Sequence, residues 1–271
     1  MRYITSLIGL LGLGLLAGCA QTTPQTVVAP APAAIVSTAA NVSAAVAQPT
    51  VPASGATTAS AQSAKINGVD LSKWQGEVDF AQIKQAGNAY VFIKATQGAT
   101  GADPNYARNI GAARATGLAA GSYHFYMTND TAEVQFAQFA KTASVQHGDL
   151  PPVVDIEVLS SNSLPDLAAE VVRFLNLLEK QYGAKPIIYS GRNFANDYLK
   201  GLADYPLWLA EYNNDQAPQL PLDWTAWTFW QYSQSGSVAG VSGQVDLDRF
   251  NGDHARFQAL LIRPAAPANA P

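Results

Sequence analysis

The chain has 271 residues, a formal net charge of −4 and 48% apolar residues, which allows one ordinary globular domain with a sizeable core, plus tails. No Lys/Arg run stands out, so the footprint of phosphate neutralisation is missing and a nucleic-acid partner is set aside. A single Cys, Cys19, rules out an intrachain disulfide, and the three His (His124, His147, His254) form no Cys/His cluster, so neither a structural zinc site nor any other metal is expected.

Residues 1–19 read as an export signal. Arg2 supplies the positive start, residues 4–16 are almost wholly apolar, and small residues precede Cys19. The apolar run is shorter than the roughly 20 residues that span a bilayer. The string L-A-G-C resembles the bacterial lipobox, in which cleavage leaves the Cys as a lipid-bearing N-terminus; the alternative is a soluble secreted protein cut nearby. Ala20 is not the Asp that resembles an inner-membrane retention signal, which favours the periplasmic face of the outer membrane. Residues 20–64 are built mainly from Ala, Pro, Thr, Ser, Val and Gln with no charge and no aromatic residue, a composition that cannot order itself. As a flexible tether of ~45 residues it would span roughly 35–40 Å. An ordered domain is expected over 65–263 and a short disordered tail over 264–271.

Within the ordered stretch, runs rich in β-branched and aromatic residues predict eight strands over 66–72, 90–96, 119–126, 152–159, 185–191, 206–212, 227–233 and 245–250. Helical spacing appears over 79–86, 105–116, 131–145, 165–182 and 193–202, several of these stretches closing on a Gly. The last three strands have little or no helix between them. The expected fold is α/β: a flattened, irregular β/α barrel, TIM-barrel-like, with eight strands and fewer helices.

Polar residues cluster at the strand ends: Asp70 and Ser72, His124 and Tyr126, Asp155 and Glu157, Tyr189, Glu211 and Tyr212, Gln231, and Asp246. Barrel enzymes carry their sites at the C-terminal ends of the strands, so these side chains are expected to converge on one mouth. Asp155 and Glu157 stand two apart on an apolar strand, which turns both to one face and Val154 and Ile156 to the other. Two acids sharing a dry pocket cannot both ionise freely, and one is pushed up to hold a proton near neutral pH. Glycosidic cleavage needs that arrangement, although a D-x-E pair by itself also suits a divalent cation. Trp74, Tyr123, Tyr126, Tyr189, Trp208, Tyr212, Trp230 and Tyr232 lie at or beside strand ends, where flat rings stack on sugars or else fill the core.

In order along the chain stand G-V-D-L-S-K-W-Q (68–75), F-I-K-A-T (92–96), G-S-Y-H-F-Y (121–126), V-D-I-E (154–157), I-I-Y-S (187–190), L-W-L-A-E-Y (207–212), F-W-Q-Y-S (229–233) and V-D-L-D-R-F (245–250). Together they resemble the family 25 glycoside hydrolases, lysozymes of fungi, bacteria and phage. The resemblance implies hydrolysis of the β-1,4 bond between N-acetylmuramic acid and N-acetylglucosamine. It makes Glu157 the general acid and Asp155 an assisting carboxylate, and places Asp70 and Asp246 as further acids of the groove. Trp74, Lys94, Tyr123, Tyr126, Tyr189, Trp208, Tyr212 and Gln231 are expected to bind substrate. Two departures stand out. Gln97 occupies a position where the family commonly has Glu, from which altered sugar binding is expected, and Asp248 stands where Asn is common. Residues two apart on a strand sit about 6.6 Å apart at Cα, between retaining and inverting spacings, so both outcomes stay open, as does substrate-assisted chemistry.

The expected partners are peptidoglycan glycan strands and, through an N-terminal lipid, a membrane. No cofactor is expected, and the chain is expected to act as a monomer. Two rival readings are a chitinase-like glycosidase, against which the missing acids at Leu150 and Val153 argue, and a non-catalytic peptidoglycan-binding lipoprotein.

Overall fold

The structure, a computed structural model, describes residues 65–212 and 217–263. The export signal with Cys19, the tether and the C-terminal tail expected above lie outside the described residues.

The strands are β1 (Asn67–Leu71), β2 (Asn88–Gln97), β3 (Gly101–Ala102), β4 (Ala119–Phe125), β5 (Val153–Asp155), β6 (Ile187–Gly191), β7 (Leu207–Ala210), β8 (Phe229–Gly236) and β9 (Val245–Phe250). They pair in the order β1-β9-β8-β7-β6-β5-β4-β2-β3, and a further β1–β2 pairing closes the ring. Eight strands therefore form the barrel, as expected. The two-residue β3, which the sequence reading missed, folds back antiparallel on the end of β2. Every barrel pairing is parallel except the two made by β9, which runs antiparallel to β8 and β1. Parallel neighbours need a crossover whereas antiparallel ones accept a short connection, so the short segment 237–244 accounts for the reversal of β9.

The helices α1 (Phe80–Gln85), α2 (Tyr106–Ala115), α3 (Ala132–Thr142), α4 (Leu167–Tyr182) and α5 (Arg192–Tyr198) fall within or close to the five predicted stretches. A sixth, α6 (His254–Leu260), was not expected. Phe257 is its one fully buried residue, with Leu260 partly buried against the same core, too little for a helical period to show. That ring nevertheless packs 5.6 Å from Tyr90 and 5.2 Å from Phe250 inside the barrel.

Strand alternation divides the apolar residues into two cores. Tyr90, Phe92, Val153, Ile187, Trp208 and Phe229 fill the interior. Val91, Ile93, Val154, Ile156, Ile188 and Leu209 point outward against Ile110, Phe139, Val171, Phe174 and Leu178 of the helices. The interior rings leave no room for side chains at two neighbouring positions. A Cβ on Gly68 would lie 2.4 Å from the Tyr90 ring, and one on Gly121 would lie 2.4 Å from the Phe92 ring. The Gly that opens each of these two sequence motifs is therefore a packing requirement.

Candidate active site

At the C-terminal ends of the parallel strands lies a pocket of about 210 Å³ lined by Asp70, Ser72, Trp74, Lys94, Tyr123, Phe125, Asp155, Glu157, Tyr189, Trp208, Gln231 and Asp246. Trp208 forms its aromatic floor, stacked on Phe92 at 4.3 Å and edge-on to Tyr189 at 4.6 Å.

Asp155 ends β5 on the interior face, and the chain stays extended beyond it. The Ile156 amide donates to the Tyr189 carbonyl at 3.0 Å and the Ser190 hydroxyl to the Ile156 carbonyl at 2.7 Å. Ile156 is thereby held in the outer core, and Glu157 returns to the side of Asp155. Asp155 is buried, one of its oxygens has no hydrogen-bond partner, and Glu157 stands exposed at the rim. Burial, followed by the charge of Glu157, raises the Asp155 carboxyl well above the ordinary range, against the opposing pull of Lys94. Glu157 is also raised, by loss of solvation and by Asp246, again opposed by Lys94. Both acids are thus biased toward holding a proton.

Across the mouth, Asp70 and Asp246 are direct cross-strand partners on β1 and β9. Like charges so placed repel. Asp70 is buried and raised well above its ordinary value by burial and then by Asp248 and Asp246, while a hydrogen bond from Gln231 works the other way. That bond, Gln231 Nε2 to Asp70 Oδ2, is 2.6 Å long, and the same glutamine accepts from the hydroxyls of Tyr189 at 2.9 Å and Tyr212 at 2.7 Å. One amide therefore ties β1, β6, β8 and the segment after β7 into a single network. Asp246 is raised by burial, offset by a hydrogen bond with Asp70.

Trp74 is 80% exposed. It rides on a 3-10 turn, Lys73–Gln75, capped by Ser72 and Gln75 and pinned where the Lys73 amide donates to Asp103 Oδ2 at 2.6 Å. The indole borders both the acidic pocket and a neighbouring hollow of about 560 Å³ over β3 and the loop at Met127–Asp130. An exposed indole held this firmly is a platform for a flat ligand.

Most residues expected at the mouth reach it, and the exceptions follow strand alternation. Tyr123 and Phe125 face the pocket, so His124 and Tyr126 face away. Tyr126 is buried against Phe174 at 5.3 Å, which removes it from the substrate-binding set. His124 lies between Thr96 Oγ1 at 2.7 Å and Gln135 Oε1 at 3.0 Å, and burial pushes it down to about 4, so it stays neutral. Trp230 is buried and donates to the Glu211 carbonyl at 2.7 Å, outside the pocket. Glu211 itself accepts from the Gln219 amide at 2.5 Å and stands 3.9 Å from Arg192. Tyr212 is half exposed and joins the site through Gln231 and Tyr189.

Ser72, expected at the mouth, lines the pocket. Two residues absent from the expected set also belong to the site: Phe125 lines the pocket, and Asp248 lies beneath Asp70, with its Oδ1 accepting from the Trp208 indole at 2.8 Å. Each stands two residues from an expected site residue on the same strand, so the period that located Tyr123 and Asp246 pointed to them as well.

A closed β/α barrel with paired carboxylates and aromatic rings at the C-terminal mouth has the architecture of a glycosidase working by acid catalysis. Comparison with known proteins makes this specific. The model of Glycosyl hydrolases family 25 matches residues 69–241, and the chain belongs to that family. It is 38% identical over 202 residues to protein YegX of Escherichia coli (strain K12), covering 72% of this chain and 73% of that one. To the autolytic lysozyme of Clostridium acetobutylicum it is 36% identical over 188 residues, covering 69% and 56%. The crystal structure of the bacterial lysozyme from Streptomyces coelicolor superimposes with a TM-score of 0.68 at 32% identity, covering 72% of this chain and 96% of that one. The chain is a glycoside hydrolase of the lysozyme family.

Proposed function

We propose that this protein hydrolyses the β-1,4 bond between N-acetylmuramic acid and N-acetylglucosamine in peptidoglycan, with Glu157 as the acid. The observation that carries the reading is the Asp155–Glu157 pair: two carboxyls on one face of a strand end, both raised, in a pocket floored by Trp208. Glu157, at the open rim, donates its proton to the glycosidic oxygen as the bond to the sugar C1 breaks. Asp155, in its ionised form, accepts the N–H of the substrate's acetamido group, whose oxygen bonds to C1 as the glycosidic bond breaks and gives a cyclic oxazolinium intermediate. Water then opens that intermediate while the Glu157 carboxylate takes up its proton, returning the acid to its starting state. Asp70 and Asp246, opposed across β1 and β9, resist ionising together and as a pair present a single negative charge to the cationic sugar, and Trp74 stacks on a ring beyond the cleavage point.

The test is digestion of purified peptidoglycan by the protein and by its Glu157→Gln variant, with fragments identified by mass spectrometry. Muropeptides ending in reducing N-acetylmuramic acid, absent from the variant digest, are the expected result. More than a few per cent of activity in Glu157→Gln would assign the acid elsewhere, and fragments cut at the other glycosidic bond would change the specificity.

We further propose that the enzyme is exported and held by a lipid on Cys19 at the periplasmic face of the outer membrane, acting as a monomer on glycan within reach of its tether. The support is the sequence of residues 1–64. Labelled fatty acid should enter the wild-type protein and fail to enter Cys19→Ala; equal labelling would remove the anchor from the proposal.

A further inference from the structure

Among the described residues, Lys94 is the one basic side chain lining the acidic pocket, and the structure gives it a neutral companion. Its Nζ donates to Gln97 Oε1 at 2.8 Å and lies 4.5 Å from the centre of the Phe125 ring. None of the ion pairs among the described residues involves it. The contact with Gln97 depends on a fault in the strand. Residues three apart on a regular strand point to opposite faces, but the β2–β4 register slips between Lys94 and Thr96. Ala95 packs in the outer core and Thr96 bonds outward to His124, so two successive residues face the helices and Gln97 is turned back toward Lys94. Bulges of this kind re-aim a side chain beside a site. The Gln97 amide nitrogen points to Met127 Sδ at 3.8 Å, which leaves its oxygen for the ammonium.

We propose that Gln97, a neutral partner turned toward Lys94, leaves the charge of that lysine uncancelled beside the Asp155–Glu157 pair and thereby sets the pH up to which Glu157 still carries its proton. A carboxylate at this position would pair with Lys94 and remove most of its field from both acids. The other groups that act on Lys94 are Asp103, which follows β3, and Lys73 on the 3-10 turn. Glu157 faces, besides Asp155 and Lys94, Asp246 of β9, Tyr189 of β6 and Tyr212 beyond β7. None of these is altered by a substitution at Gln97, which is exposed and outside both cores.

The proposal rests on Glu157 as the acid and is tested on the full chain with Gln97→Glu and Gln97→Met, measuring kcat against pH on soluble glycan fragments. In Gln97→Glu the alkaline limb should move up by roughly half a pH unit, the order of effect of cancelling one unit charge that lines the same wet groove. In Gln97→Met, which loses the hydrogen bond but adds no charge, the limb should stay in place. An unmoved limb in Gln97→Glu, or equal movement in both variants, would overturn the proposal and leave Gln97 as part of the groove wall. A 13C NMR titration of the Glu157 carboxyl, assigned with Glu157→Gln, reads the same shift without turnover, so an inactive variant still decides. Retained activity in Glu157→Gln overturns the assignment of the acid, whereas superimposable NMR titrations overturn the role of Gln97.

Discussion

The two walls of the mouth hold their acids in different company. On the β1–β9 wall, Asp70 and Asp248 are buried and receive hydrogen bonds from neutral donors, the Gln231 amide and the Trp208 indole, with Asp246 in register opposite Asp70. On the β2–β5 wall, Asp155 and Glu157 share the field of Lys94. Neutral donors satisfy a carboxyl oxygen but offset only part of the cost of burying its charge, so the first wall favours protons. A cation lets one acid of a pair ionise while its neighbour keeps its proton. In the mechanism proposed above, the chemistry belongs to the second wall and the shaping of the charge field to the first.

Glu157→Gln breaks the second wall most severely. Turnover should fall on the order of 10³-fold, with thermal stability little changed because the side chain is exposed. Lys94→Met keeps the apolar stem and removes the charge, making the two walls alike. Asp155 and Glu157 should then both rise and the singly ionised form of the pair become scarcer, lowering kcat on the order of 10- to 100-fold, with part of the loss recovered at higher pH. A kcat–pH profile that fell without moving would show that Lys94 acts by contact with substrate instead.

Asp248→Asn probes the first wall and should have the smallest effect on turnover. The folded-state value of Asp248 is raised, chiefly by burial and against the Trp208 hydrogen bond. A raised carboxyl binds protons more tightly in the folded than in the unfolded state, so its stabilising contribution is present in acid and lost as pH rises from the ordinary carboxylate range through the raised value. The amide keeps the acceptor for Trp208 and does not titrate. The variant should therefore gain stability over wild type as pH increases, with Tm rising about 2–4 °C for each kcal/mol gained. Melting curves from pH 4 to pH 8 with a constant difference between the two proteins would contradict this.

Much of this site was legible beforehand because strand alternation is local. The period of two turned Asp155 and Glu157 together and separated them from Val154 and Ile156, and the structure places the four side chains accordingly. The same rule, applied along β4 from Tyr123, would have removed His124 and Tyr126 from the mouth. They were included because they are polar and near a strand end, a weaker criterion than the face they occupy. Trp230 departs for the same reason, as the neighbour of the inward-facing Gln231.

Composition and periodicity determined the class of fold, the eight barrel strands, five of the six α-helices among the described residues and the acids that face inward, because each depends on side chains a few residues apart along one backbone. Ring closure alone brought Asp70 opposite Asp246 and within reach of Gln231, since cross-strand register depends on partners far away in sequence. The slip in β2 that sets Gln97 against Lys94 was likewise invisible in the string I-K-A-T-Q. A regular strand would have pointed the two apart, and only pairing with β4 while filling the outer core forces the extra residue.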